Sequence, residues 1–328
     1  MKKLFFILAA AAGILVSCTK NEVAPAEPQE ITYMTSPITK ALGTFTESNE
    51  FLSWAYYTGD ADWDYPATAT SWIDGAQIGL VGGVWKDDTK SYYWPKDNGK
   101  LTFFAFSDNS ADPALAGGAT VDCASNTGVV INGYDITQNV GTDLLVADAA
   151  ENKQANETTY GKEGVPTLFK HKLSKIAFKI QYQLPDDGVT DFTLKSITFT
   201  GIDSKGSYKQ YVSPSVSDQW LNTAQADQVY TTESADFTTG LYDLETNATQ
   251  TLFLPQEFDG SEKVVVVYNA KGTGVGKDHT LTGNLQSIFT KWEVGKRYIC
   301  TITITPDEIL WDPAVEEWED ATGFTATL

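Results

Sequence analysis

Ile176-Ala177-Phe178-Lys179-Ile180-Gln181-Tyr182-Gln183-Leu184 sets the character of this chain: every second residue is apolar and most of the others are polar. A period of two is the mark of a β-strand with one buried and one wet face, because successive side chains leave a strand on opposite sides. Downstream, Phe192-Thr193-Leu194 and Ile197-Thr198-Phe199 have opposite parity, so a β-bulge is expected at Lys195-Ser196. Val264 to Val267 and Leu101-Thr102-Phe103-Phe104-Ala105-Phe106 are apolar on both parities and predict strands covered on both faces. Turn clusters separate these runs: Lys96-Asp97-Asn98-Gly99, Pro185-Asp186-Asp187-Gly188 and Gly272-Thr273-Gly274. No long stretch keeps a 3.6-residue apolar period. Short strands with frequent turns predict an all-β protein of antiparallel sandwiches, and 328 residues are enough for two domains.

The N-terminus carries a different signal. Met1-Lys2-Lys3 is positive, and Leu4 to Val16 is an apolar run too short to span a bilayer. It stops at Leu15-Val16-Ser17-Cys18, which resembles the lipobox of bacterial lipoproteins. That resemblance implies cleavage between Ser17 and Cys18 and acylation of the Cys18 thiol. Several acyl chains, at roughly 0.8 kcal/mol per buried CH₂, hold a protein on a membrane where one would not. The competing reading is a plain secretory signal with an incidental cysteine. Both place the protein outside the cytoplasm.

Five segments result. Residues 1–17 are the lipoprotein signal peptide. Residues 18–40 hold a tether, with Pro25 and Pro28 among alanine and glutamate, and a first strand at Ile31-Thr32-Tyr33-Met34-Thr35 closed off by Pro37. Residues 41–160 and 165–306 are two strand-rich halves, and the polar stretch Glu151 to Gly164 is the candidate linker. Pro306 ends the last clear strand, leaving 307–328 as an acidic extension with Trp311 and Trp318.

Composition narrows the chemistry. The net charge of −20 becomes −22 once residues 1–17 are gone, and a pI near 4.4 argues against nucleic acid and against docking on anionic lipid. With two histidines, His171 and His279, and no Gly-x-Ser-x-Gly elbow, a serine-type triad has little to build from. Zinc spacings and phosphate loops are absent, and no carboxylate pair stands out, so no enzyme activity or cofactor is expected. Asp60-Ala61-Asp62-Trp63-Asp64 imitates the start of a calcium loop, but Tyr65 stands at the turn-glycine position and Ser71 at the bidentate-glutamate position. A solvated acidic turn fits better, and no metal is expected. Cys300 shares the parity of Tyr298, Ile302 and Ile304 and reads as a core residue, whereas Cys123 lies in a loop-like stretch. Whether the two pair is left open by the sequence.

Trp54, Trp63, Trp72, Trp85 and Trp94 fall in one stretch with Tyr56, Tyr57, Tyr65, Tyr92 and Tyr93. Two readings compete: rings filling a sandwich interior, which is favoured, and a sugar-binding platform. The second would make the protein a monomeric surface-anchored carbohydrate-binding lipoprotein.

Five motifs in order resemble those of a known family. Tyr93-Trp94-Pro95, followed by Gly99 and Leu101 to Phe106, resembles the tryptophan-proline strand pair of fimbrillin-type proteins. Asp143-Leu144-Leu145-Val146-Ala147 resembles the segment that follows it. Leu168-Phe169-Lys170-His171-Lys172-Leu173-Ser174-Lys175-Ile176 matches the family's phenylalanine-x-histidine-x-leucine-serine-lysine hallmark. Leu254-Pro255-Gln256 resembles its proline-glutamine strand end, and Trp292, Gly295, Lys296 and Tyr298 its closing motif. The chain is thus similar to Bacteroides-type fimbrillins, the subunits and accessory proteins of lipoprotein-derived pili.

The resemblance implies two tandem transthyretin-like antiparallel β-sandwich domains and a structural His171. It implies a non-enzymatic stalk or tip subunit of a cell-surface fimbria, with an adhesive role toward a glycan or protein receptor. The lipidated precursor would reach the outer membrane, lose its N-terminal strand to a protease, and accept a strand from another copy or a related subunit. Its partners are then other fimbrillin subunits. Processing in this family follows an arginine, yet the one arginine here is Arg297, and the matching place carries Thr39-Lys40-Ala41. A cut between Lys40 and Ala41 would need a lysine-directed or trypsin-like protease; without it the protein would be an anchor or accessory subunit that keeps its lipid. In the 307–328 extension, Ile309-Leu310-Trp311 and Phe324-Thr325-Ala326-Thr327-Leu328 are the apolar pieces suited to insertion, through Ile309, Leu310, Trp311, Phe324, Ala326 and Leu328.

Overall fold

The computed structural model describes residues 28–35, 46–64, 68–155, 164–183, 191–213, 216–232, 234–237, 240–272, 274–305 and 309–318. Ser17, Cys18, Lys40, Ala41, Phe324, Ala326 and Leu328 lie outside the described residues. The chain begins with β1 (Tyr33–Thr35), β2 (Phe51–Gly59), β3 (Thr70–Val81), β4 (Val84–Lys86), β5 (Lys100–Ser107) and β6 (Thr120–Ala124). Next come β7 (Gly128–Asp135), β8 (Leu145–Ala147), β9 (Ala150–Lys153), β10 (Val165–Thr167), β11 (Phe169–His171) and β12 (Ser174–Tyr182). Then follow β13 (Asp191–Ser213), β14 (Val216–Thr231), β15 (Ala235–Asp236), β16 (Tyr242–Asp243), β17 (Leu252–Phe253) and β18 (Gln256–Glu257). The last are β19 (Lys263–Lys271), β20 (Lys277–Asn284), β21 (Lys291–Trp292), β22 (Lys296–Ile304) and β23 (Ile309–Glu317), with a short helix α1 (Leu285–Ile288) after β20.

The fold is all-β, as the alternation predicts. A nine-stranded sheet runs β10-β1-β4-β3-β2-β5-β8-β11, with β9 beside β5. A seven-stranded sheet runs β20-β19-β13-β7-β6, with β14 and β15 also on β13. A five-stranded sheet runs β16-β12-β22-β23 with β17 on β12, and β18 pairs β21. The expected halves 41–160 and 165–306 are stitched together by two exchanges. Strands β6 and β7 of the first half join β13 of the second, while β10 and β11 of the second join the nine-stranded sheet.

Strand β5 explains the layering. Phe104 and Phe106 belong to a large core shared with Phe178, Phe199 and Ile302, whereas Leu101, Phe103 and Ala105 belong to a smaller core with Phe51, Ile73 and Phe169. One strand thus feeds two cores, which is why it is apolar on both parities. The bulge is where parity places it: the β13–β19 register shifts between Leu194 and Ser196, so Leu194 and Ile197 are both buried while Lys195 is exposed.

Several expectations are corrected. Val264 and Val266 are buried, but Val265 and Val267 are only half-buried, because one face of β19 is left partly open. The sheets are not wholly antiparallel: β12 pairs β22 in parallel from Lys175↔Arg297 to Tyr182↔Ile304, and β1 pairs β10 in parallel. Parallel neighbours need a long crossover, which the intervening strands supply between β12 and β22. Cys123 lies in strand β6, not a loop, and both Cys123 and Cys300 are free thiols. Burial pushes the Cys300 thiol up to about 12 and raises that of Cys123 further, so neither is a ready nucleophile. Of the candidate linker, Glu151 to Lys153 belong to β9 (Ala150–Lys153).

Candidate functional site: a strand groove and an edge strand

The N-terminal segment Gln29–Thr35 lies in a slot between two walls. On one side β1 runs parallel to β10, Tyr33↔Val165 to Thr35↔Thr167. On the other it meets β4 at Tyr33↔Trp85, and just before β1 the chain runs beside Tyr92–Trp94. Main-chain bonds fix it there: Ile31 N to Tyr92 O at 2.8 Å, Trp94 N to Gln29 O at 3.0 Å and Val165 N to Thr32 O at 2.7 Å. Ile31 and Tyr33 point into the smaller core, buried to 3% and 4% exposure. The Tyr33 ring meets Phe51 and Phe103 edge-on at 5.4 and 6.0 Å, and its hydroxyl accepts from Ser53 Oγ at 2.9 Å. Burial raises the Tyr33 phenol, which stays neutral.

Two polar details hold the slot. Glu30 sits beside Lys86 at 3.4 Å and accepts from Ser91 Oγ at 2.7 Å; the Ser91 bond first, opposed by burial and aided by Lys86, lowers its carboxyl from the ordinary value. Gly164 has φ of +96°, and a Cβ there would stand 2.7 Å from the carbonyl carbon of Tyr33. Only glycine lets the chain close against β1 at this point. The sequence names the strand but not this glycine, whose role depends on a backbone angle that composition does not reveal.

The C-terminal segment is the second candidate. β23 is antiparallel to β22 along its whole length, from Ile304↔Ile309 to Lys296↔Glu317. The proposed inserting residues Leu310 and Trp311 are therefore in an in-chain edge strand, with Leu310 45% exposed and Trp311 half-buried over Gly283. Pro313 is tolerated because β23 has no neighbour on its far side among the described residues. Its side chains from Asp312 to Glu317 are all exposed, so backbone bonds and a few anchors carry the attachment.

Those anchors converge on residues that are distant in sequence. Trp318 is 2% exposed and its ring stacks on His171 at 3.6 Å with planes 5° apart, while its backbone N–H donates to Gly295 O at 3.1 Å. His171 Nδ1 lies 2.9 Å from Asp143 Oδ2, both fully buried. Gly295, with φ of +67°, packs against the His171 carbonyl and donates its N–H to Leu173 O. Arg297 ties the strand further, pairing with Glu316 on β23 and with Glu245, which also pairs with Lys175 at 2.8 Å. In the sequence, Trp318 stands out only as a large ring in an acidic tail.

The acidic turn at Asp60–Asp64 is held by a lysine. Lys100 Nζ donates to Asp60 O at 3.0 Å and to Asp62 Oδ1 at 2.6 Å. Among the described residues no cluster of histidine, cysteine and carboxylate side chains could hold a metal.

Comparison with known proteins agrees with this architecture. A fimbrial protein from Bacteroides vulgatus ATCC 8482 superposes with a TM-score of 0.65 at 17% identity, covering 88% of this chain and 99% of that one. A candidate cell adhesion protein from Bacteroides uniformis ATCC 8492 gives 0.55 at 16% identity, covering 88% and 99%. At these identities the likeness speaks for the fold. No protein of curated function matches. The pattern of the fimbrillin-like family matches residues 39–318, nearly the whole chain beyond the first strand. The chain belongs to the fimbrillin-like family.

Proposed function

We propose that this protein is a structural subunit of a cell-surface fimbria, delivered as an outer-membrane lipoprotein through Cys18 and joined to its neighbours by strand exchange. The observation that carries the reading is the position of Gln29–Thr35: it is an internal member of a sheet, with Ile31 and Tyr33 in a core, yet lies wholly N-terminal to Lys40. A cut after Lys40 would detach it in one piece. The open slot would present unpaired backbone on both walls and an apolar floor, which a strand from another copy satisfies. Head-to-tail pairing of this kind does not close, so it grows a filament. The donor in this reading is the C-terminal segment, which supports the role by being an exposed edge strand with few anchors. Cleavage takes two lysines and three glutamates with residues 18–40 and leaves a charge of −21, so like-charged subunits must be joined by strand burial and not by net attraction.

The N-terminal residue of the surface-assembled protein, read by mass spectrometry, tests this. Ala41 is the expected result; lipidated Cys18 in the assembled form would assign an anchor or a monomer. The anchor itself is tested by Cys18→Ala, which is expected to abolish acylation and surface retention while leaving the fold intact. Palmitate labelling that persists in that variant would remove lipidation at Cys18 from the account.

A further inference from the structure

The aromatic residues of the 54–94 stretch divide into two groups. Trp54, Trp63 and Trp94 are buried in the cores, whereas Trp72 is 39% and Tyr93 45% exposed. Tyr57, Trp72, Tyr93 and Pro95, with Lys96 and Asp97 at the rim, line a surface cleft of about 510 Å³. The Tyr57 and Trp72 rings are neighbours, with centroids 5.6 Å apart and planes 32° apart. Their polar ends are already used: Trp72 Nε1 donates to Tyr93 O at 2.9 Å, and Tyr57 OH to Asp97 Oδ2 at 2.5 Å. Behind Tyr57, a Cβ on Gly99 would overlap the ring, so the glycine lets it lie flat against the chain. With their polar atoms paired, the Tyr57 and Trp72 rings are held in place before anything binds and leave mainly carbon surface for a ligand.

We propose that this cleft binds a neutral oligosaccharide. The C–H face of a pyranose packs on a flat aromatic face, while its hydroxyls reach the exposed Lys96 ammonium and the remaining lone pairs of Asp97. The volume lies inside the roughly 300–1,000 Å³ of small-ligand sites. Tyr57 also borders a second recess of about 430 Å³ lined by Thr58, Asp62, Asp64 and Thr70, a polar continuation for a second sugar unit. Charge selects against acidic glycans, because the chain is at −20 and the recess adds carboxylates. A protein partner fits less well: three rings and a proline fall far short of the roughly 800 Å² a stable partner buries on each side. The site concerns what the subunit binds and is independent of how it assembles, so a monomer tests it.

The full chain, made soluble by Cys18→Ala, is titrated with neutral oligosaccharides of glucose, galactose, mannose and N-acetylglucosamine, followed by calorimetry and tryptophan fluorescence. At least one should bind, and Trp72→Ala should lower its affinity about tenfold or more with an unchanged melting temperature. Tyr93→Ala should weaken it too, and Trp72→Phe, which keeps a flat face, should retain part of it. The proposal is overturned if none binds at millimolar concentration, or if binding survives Trp72→Ala. It is equally overturned if sulfated or sialylated chains bind better than their neutral counterparts, or if apolar peptides occupy the cleft in place of sugar.

Discussion

Phe178 and Lys179 are adjacent residues with opposite fates. Phe178 is fully buried among Phe199 and Tyr230, while Lys179 is half-buried and reaches Asp243 only at 3.9 Å. Phe178→Ala should cost about 3–5 kcal/mol through the cavity it leaves, and Lys179→Ala less than about 0.5 kcal/mol, both read from denaturant unfolding. Equal losses would mean that the face assignment is wrong. This contrast was legible in the sequence because alternation reports which side of a strand a residue occupies. Gly164 was not legible. Its φ of +96° and its closeness to Tyr33 exist only once β10 has met β1. Gly164→Ala should therefore destabilise by about 2 kcal/mol or more, from a strained backbone and an overlap with main chain that cannot move aside. A melting temperature equal to that of the unsubstituted protein would contradict the close packing of β1 on β10.

At the scale of the element, β23 is an edge strand held through Arg297, whose guanidinium pairs with Glu316 on β23 and with Glu245. Burial raises the Glu245 carboxyl, but Lys175 and Arg297 outweigh it and leave it below the ordinary 4.5. The Arg297 guanidinium is opposed by burial and raised by Glu245 and Glu316. A carboxyl whose folded value lies below its unfolded one adds stability above about pH 4.5 and loses it as the pH falls through the folded value. Amide protection where Glu245 braces Lys175 of β12 and Arg297 of β22 should thus decline below about pH 4.5, read by hydrogen exchange. Arg297→Ala, which removes the pair with Glu316, should show faster exchange of 309–317 at neutral pH. Unchanged exchange of β23 in that variant would show that the ion pairs do not hold it. Among elements, the bulge at Lys195-Ser196 and the doubly covered β5 could be read from parity. The open face of β19 could not, since an apolar run is silent about whether a neighbour arrives to cover it. The parallel β12–β22 pair was equally hidden, because its partner residues are far apart in the chain and strand direction leaves no trace in composition.

Over the whole molecule, the motifs that carried the family resemblance are scattered in sequence and gather in space. Asp143, His171, Leu173 and Gly295 meet beneath Trp318, where the nine-stranded sheet, the β22 end of the five-stranded sheet and the C-terminal strand are joined. The sequence supplied these residues in order, but not their convergence, nor the sharing of β6 and β7 with the later sheet. The first and last described segments are both laid on the rest of the described fold: Gln29–Thr35 in a slot, and Ile309–Glu317 on an edge. The exchange account rests on the first being removable and the second transferable. Its most direct test is to cut the purified monomer after Lys40 and follow its size by detergent-resistant gel and light scattering. The account predicts a ladder of oligomers in the cut protein, none with Lys40→Gln under the same protease, and no extension when Asp307–Leu328 is deleted from a chain whose fold is verified by circular dichroism. A protein that loses residues 18–40 and stays monomeric at high concentration would contradict it.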